Sequence, residues 1–400
     1  MQIGWIDFSE KDRRTALDVI QMGTQQGTVD ELGTGTISEA FSNYFFPGTS
    51  TIQTRAKYFF LVPYAVQETI RQKSVKNAND ALRVLDDIEE NTCRILVKRC
   101  GSVNGIIGQD NIRHGKWVKR TPSSVYWNGL RTLGFFSALP GFTPSIYEYF
   151  RAELKQRANM KDLSDDMLGD DIDRDDRDAG HGLYHEYWNI PYIKDWKDNL
   201  DINLTKEEAS FFAEKIHTYK PGTLLEYLLD KKQDLNYTEF VDMAEHLKGE
   251  VAKPLGSLIQ MAIDFDGLFY LGTILFNLEL SDDQNERALE EWEEYKPKAS
   301  TMAENVDLDA IYSSLGIKNR NNYVFLNNLR DCLIESSNES IARARMYIVK
   351  QSEALKRGNS KFKRKNEFDN QAWFGGGHLD YRFKDARMIL NDIKGEKGYA

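Results

Sequence analysis

The residues in this chain whose types and spacing could do chemistry are cations set among aromatic rings. Arg113, Lys116, Lys119 and Arg120 precede Tyr126 and Trp127 within fifteen positions, and Arg55 and Lys57 follow the hydroxyl-rich run Thr49, Ser50, Thr51 and Thr54. Cations neutralise phosphates while rings stack on bases, so the first group suits nucleic acid. The second places hydroxyls, backbone N–H groups and positive charge at the start of a helix, where an anion is favoured. Each has a plainer reading. Tyr126 and Trp127 fit the inner face of a helix, and "TSTIQTRAK" fits a polar turn leading into the buried helix "YFFLVPY".

Other chemistry has weaker support. "GIIG" at Gly105 to Gly108 is neither a dinucleotide fingerprint nor a phosphate-binding P-loop, and no G-K-[S/T] occurs, so no cofactor is expected. His181, His185 and Glu186 adjoin nine Asp between 162 and 178, but the order of an EF-hand loop and the HExxH pattern are both missing. A solvated acidic connector is the expectation there, with no metal site. "WFGGGHLDYRF", with His378, Asp380, Tyr381 and Arg382 after a glycine triplet, is the most enzyme-like cluster; a glycine turn between two helices explains it equally simply. The basic run Lys356 to Lys365 reads as a phosphate-contacting loop or as a soluble connection.

The elements that must position these groups are helices. "NANDALRVLDDIEENTCRILVKRC" keeps helical period, Thr205 and Glu208 form a capping box, and "LGSLIQMAIDFDGLFYLGTILFNLEL" is apolar almost all round, as the centre of a bundle is. Pro63 should kink or divide the helix spanning Thr54 to Lys73. "TISEAFSNYFF" should bury Phe41, Tyr44 and Phe45, and Ser9 should cap a helix carrying Leu17 to Ile20. "KWVK" between helices is compatible with the small β element of a winged helix. The expected fold is mainly α in two domains: a mostly helical N-terminal one over 1–159 and a helical bundle over 183–400, joined by the acidic connector 160–182.

Length supports two cores. A net charge of −10 argues against a surface that attracts nucleic acid everywhere, yet residues 94–131 hold eight Lys or Arg against Asp110 alone, and 343–365 hold nine against Glu353 alone. Cys93, Cys100 and Cys332 fit neither a disulfide framework nor a zinc site. With no apolar run of membrane-spanning length and no apolar leader, the expectation is a cytoplasmic protein without membrane contact.

"WIDFSE" at Trp5 to Glu10, "FFPGTSTIQTRAKYFFLVP" at Phe45 to Pro63, "GIIG", "PSSVYWNGLRTLGF" at Pro122 to Phe135 and "LDYRFKDARMILNDI" together resemble a bacterial family of domains of unknown function. The resemblance spans essentially the whole chain and brings no catalytic residues with it. It implies an accessory role in phage-defence or DNA-modification loci, beside helicase and nuclease subunits. The leading expectation is therefore a non-catalytic protein that binds DNA or RNA through Arg55, Lys57, Arg113, Lys116, Lys119 and Arg120, with Tyr126 or Trp127 for stacking, and that binds partner proteins through its helical C-terminal domain. The alternatives are a metal-dependent nuclease or phosphoryl-transfer enzyme using the Asp-rich stretch or "HLDYR", and a pure protein-interaction subunit.

Overall fold

A computed structural model describes residues 30–101, 103–167, 186–231 and 236–395, with backbone only for 161–167. The expected helix after Ser9, the Asp-rich stretch beyond Met167 and the pair His181 and His185 lie outside the described residues.

Sixteen α-helices make up the described fold: α1 (Gly35–Phe45), α2 (Tyr58–Arg71), α3 (Ala78–Cys100), α4 (Gln109–Arg113), α5 (Pro122–Thr132), α6 (Ile146–Met167), α7 (Lys206–Tyr219), α8 (Leu224–Asp230), α9 (Phe240–Leu247), α10 (Lys253–Leu280), α11 (Glu286–Tyr295), α12 (Ala299–Glu304), α13 (Leu308–Leu315), α14 (Arg320–Glu335), α15 (Asn338–Lys356) and α16 (Phe383–Lys394). The chain is mainly α, as its periodicity predicts. No sheet forms among the described residues; one antiparallel bridge joins Phe136 to Trp188. "KWVK" finds no strand to pair with. Its Trp117 instead donates from Nε1 to Asp86 of α3 at 2.8 Å.

The described chain forms two compact units that interleave along the sequence. The first is Ser42–Glu239 together with the stretch that begins at Arg382, so α16 returns to α7 and α8. The second is Phe240–Tyr381 together with the stretch that ends at Phe41.

In the first unit α2 packs on α3 and α5, and α3 on α6. The helix starts follow from local chemistry. Asn77 accepts from the amides of Asn79 and Asp80 to begin α3, Thr121 accepts from Ser124 ahead of Pro122 to begin α5, and Thr205 and Glu208 close the expected capping box at α7. Helix α2 starts at Tyr58 and continues through Pro63, so the proline does not divide it. Twelve of its fourteen residues are buried, and that burial outweighs the roughly 3 kcal/mol a helical proline costs.

In the second unit α10 is central, touching α9, α11, α12 and α15. It is the one described helix long and apolar enough to cross a membrane, and 78% of its most apolar window is buried. At the head of α1 the cap is Asp30, whose carboxylate accepts from Thr34 N and Gly35 N. Phe41 and Phe45 are buried as expected, while Tyr44 is 44% exposed.

Candidate nucleic-acid interface

The stretch Phe45 to Tyr64 does hold an anion at a helix start, and the anion is the protein's own. Asp392 of α16 accepts from Ala56 N at 2.8 Å and from Arg55 Nε at 2.9 and 3.0 Å. Arg55 Nη2 donates to Asn203 at 2.9 Å, and Lys57, which is buried, donates to both oxygens of Glu208 at 2.6 and 2.8 Å. The neighbouring amides are also taken. Thr54 N and Arg55 N donate to the Tyr126 hydroxyl at 2.8 and 3.0 Å, and that hydroxyl donates to Arg55 O at 2.9 Å. The chemistry expected for phosphate at Arg55 and Lys57 is thus satisfied inside the first unit.

The two rings expected to stack on bases are core residues. Tyr126 is fully buried between Tyr58 and Phe59, at centroid distances of 5.3 and 5.1 Å, and burial pushes its phenol up to about 12. Trp127 packs against Phe136, Tyr149 and Trp188 and donates from Nε1 to Pro144 O at 2.8 Å. Neither presents a face to solvent. The reason is helical geometry: on an eleven-residue helix with seven buried positions, adjacent aromatics both fall within the wide inner arc.

The other four cations are on the surface. Arg113 pairs with Asp110 at 3.3 Å across exposed side chains, whereas Lys116, Lys119 and Arg120 are exposed and form no ion pair with a described residue. Lys98 and Arg99, exposed in the last turn of α3, extend the same basic stretch. Their place in the run 94–131 was the sequence signal for them, although periodicity alone did not separate them from the paired Arg94.

The segment carrying these cations is pinned from several sides. Thr54 Oγ1 donates to Gly105 O at 2.7 Å, and Ile107 N donates to the Tyr58 hydroxyl at 2.8 Å. Gly108 has φ of 87°, and a Cβ there would meet the Trp117 ring at 2.7 Å, so the glycine provides both the turn and the space for Trp117. Thr121 then caps α5, whose second residue, Ser123, donates from N and Oγ to Glu89 at 2.6 and 3.0 Å. Burial raises the Glu89 carboxyl to about 8 despite those two bonds.

The second unit pairs half of its basic run, while Arg357 and Lys363 stay exposed without an ion pair to a described residue. Lys361 pairs with Glu31, Arg364 with Glu367, and Lys365 with Asp282. Its enzyme-like stretch is a clasp on α10. Asn277 bonds both the N–H and the C=O of Phe374 at 2.8 Å, Asn285 bonds Asn370 O and Ala372 O, and buried Asp266 accepts from Leu379 N and His378 Nδ1 at 2.6 Å each. His378 stacks on Tyr270 at 4.0 Å, with Nε2 at 3.2 Å from the Tyr295 hydroxyl. Tyr381 is buried and donates to Ala262 O. Arg382 begins the return of the chain to the first unit, where it donates to Asn43 at 2.7 Å and to Thr49 O at 3.1 Å. Among the described residues no three His, Cys, Asp or Glu side chains are grouped to hold a metal ion.

No curated protein and no solved structure matches the chain. A family model described as a family of unknown function, DUF6361, matches residues 1–306, more than three quarters of the sequence and most of both units. The chain therefore belongs to that family.

Proposed function

We propose that this protein is a non-catalytic, cytoplasmic nucleic-acid-binding component of a prokaryotic antiviral defence or DNA-modification system. It grips the phosphate backbone through Arg113, Lys116, Lys119 and Arg120, flanked by Lys98 and Arg99, and its second unit serves partner proteins such as helicase or nuclease subunits. The observation that carries the reading is that Lys116, Lys119 and Arg120 stay exposed and without ion pairs on a pinned segment, in a chain of net charge −10. Acids are abundant enough to neutralise these cations, as happens to Lys361, Arg364 and Lys365, and here they do not.

The test is fluorescence anisotropy of labelled nucleic acid across a salt series. Binding that weakens steeply with salt and is markedly weaker in Lys119→Glu/Arg120→Glu supports the reading. Absence of binding at low salt rejects it.

A second, catalytic reading rests on the geometry around His378. A buried carboxylate orients its Nδ1, as in general bases, and the ring is 40% exposed. Turnover of a phosphodiester that disappears in His378→Ala and survives in Lys119→Glu/Arg120→Glu would favour this reading.

A further inference from the structure

The aromatic rings that sequence pattern places beside the cations are absent from the exposed face, and that restricts what the face can bind. Sequence-tolerant recognition of single strands combines a cationic groove with rings on which unpaired bases stack. Here Tyr126 and Trp127 are core residues, and the half-buried Trp117 is fixed in place by the bond from its Nε1 to Asp86 and by its packing over Gly108. Among the described residues, the exposed tyrosines of the first unit, Tyr44, Tyr147 and Tyr219, belong to α1, α6 and α7 and not to the α3–α5 connection. What remains between Lys98 and Arg120 is six exposed cations and one exposed acid, Asp110.

The same segment is braced by Thr54, Tyr58 and Asp86. A fixed array of charges suits a ligand whose phosphates are themselves fixed. A duplex presents about one charge per 1.7 Å of axis in regular rows, whereas a single strand is sparser in charge and must be ordered on binding. Resting on the nucleic-acid reading above, we infer that the ligand of this face is a double-stranded nucleic acid, held by its backbone without base stacking and without sequence preference.

The experiment compares a labelled 24-base-pair DNA duplex, an RNA duplex of the same length and a dT24 strand, each titrated with the full chain at four salt concentrations. The expected result is at least tenfold tighter binding of duplex than of dT24. Lys119→Glu/Arg120→Glu should make the slope of log K against log salt shallower by about two, the loss of two phosphate contacts. Circular dichroism and the melting temperature of that variant should be unchanged. The two duplex arms decide between B-form and A-form backbone as the better fit. Binding of dT24 as tight as that of the duplexes overturns the inference and leaves the nucleic-acid reading standing. Failure of all three probes to bind at low salt overturns both.

Discussion

Arg55 and Asp392 are 337 positions apart in sequence, yet Arg55 Nε lies 2.9 and 3.0 Å from the two carboxylate oxygens of Asp392. The side chains are 15% and 13% exposed, and the same carboxylate receives Ala56 N. Removing Asp392 leaves a largely desolvated Arg55 charge and an unpaired Ala56 amide. Asp392→Ala should therefore cost about 3 kcal/mol in urea unfolding, with Arg55→Met/Asp392→Leu recovering the part due to the stranded charge but not the part due to the Ala56 amide.

Stability and binding should separate cleanly between two sets of cations. Lys57→Met strands Glu208 in a pair with side chains 7% and 14% exposed, and should lower the unfolding midpoint clearly. Lys119→Glu/Arg120→Glu touches only solvated side chains and should shift stability by less than about 0.5 kcal/mol. Parallel melting curves and anisotropy titrations on the two variants would check this. Loss of nucleic-acid binding in Lys57→Met at temperatures where it remains folded would contradict it.

Glu89 supplies a pH dependence with a definite sign. Its carboxyl is raised from 4.5 to about 8, first by burial, against the opposing hydrogen bonds from Ser123. The folded state therefore binds a proton more tightly than the unfolded state. Its contribution is fully present below about 4.5 and is lost as pH rises toward 8, at up to about 1.4 kcal/mol per unit within that window. Glu89→Gln cannot ionise and should gain stability over the parent as pH rises from 5.5 to 8.5, measured by urea midpoints at several pH values. A constant difference between the two proteins would sink the assignment.

Asn277 holds Phe374 by both backbone groups, so Asn277→Ala leaves an N–H and a C=O of the 369–380 segment without these partners. The expected cost is about 1–3 kcal/mol. Hydrogen exchange should speed up at Trp373 to Leu379 while α10 itself stays protected. Unchanged exchange there would mean that Asp266 and Asn285 hold the clasp alone.

Helices were legible in the sequence because their signals are local. Asn77, Thr121 and the Thr205–Glu208 box each act within four residues, and the all-round apolar character of α10 is a property of one segment. Pro63 misled because its cost is local whereas the compensation is the burial of α2 by distant chain. The candidate site was half legible for the same reason. A basic stretch can be counted, but whether a given cation is spent depends on a partner that periodicity does not find: Asp392 for Arg55, Glu208 for Lys57, Glu31 for Lys361. Tyr126 and Trp127 were ambiguous because a ring suited to stacking on a base is equally suited to stacking on Phe59 or Phe136.

The return of α16 to the first unit has a consequence for biogenesis. A ribosome delivers Arg55 and the whole of α2 long before it delivers Asp392, so the first unit waits for a further 337 positions of chain before its buried cation is matched. The second unit is synthesised in that interval. Premature termination anywhere before α16, including at residue 306 where the family match ends, removes the counter-charge and exposes the partners of Phe383, Ile389 and Leu390. Such a product would carry its cationic loop on an unfinished scaffold and offer an apolar surface to proteolytic quality control, so that translation through α16 becomes a condition for a stable first unit.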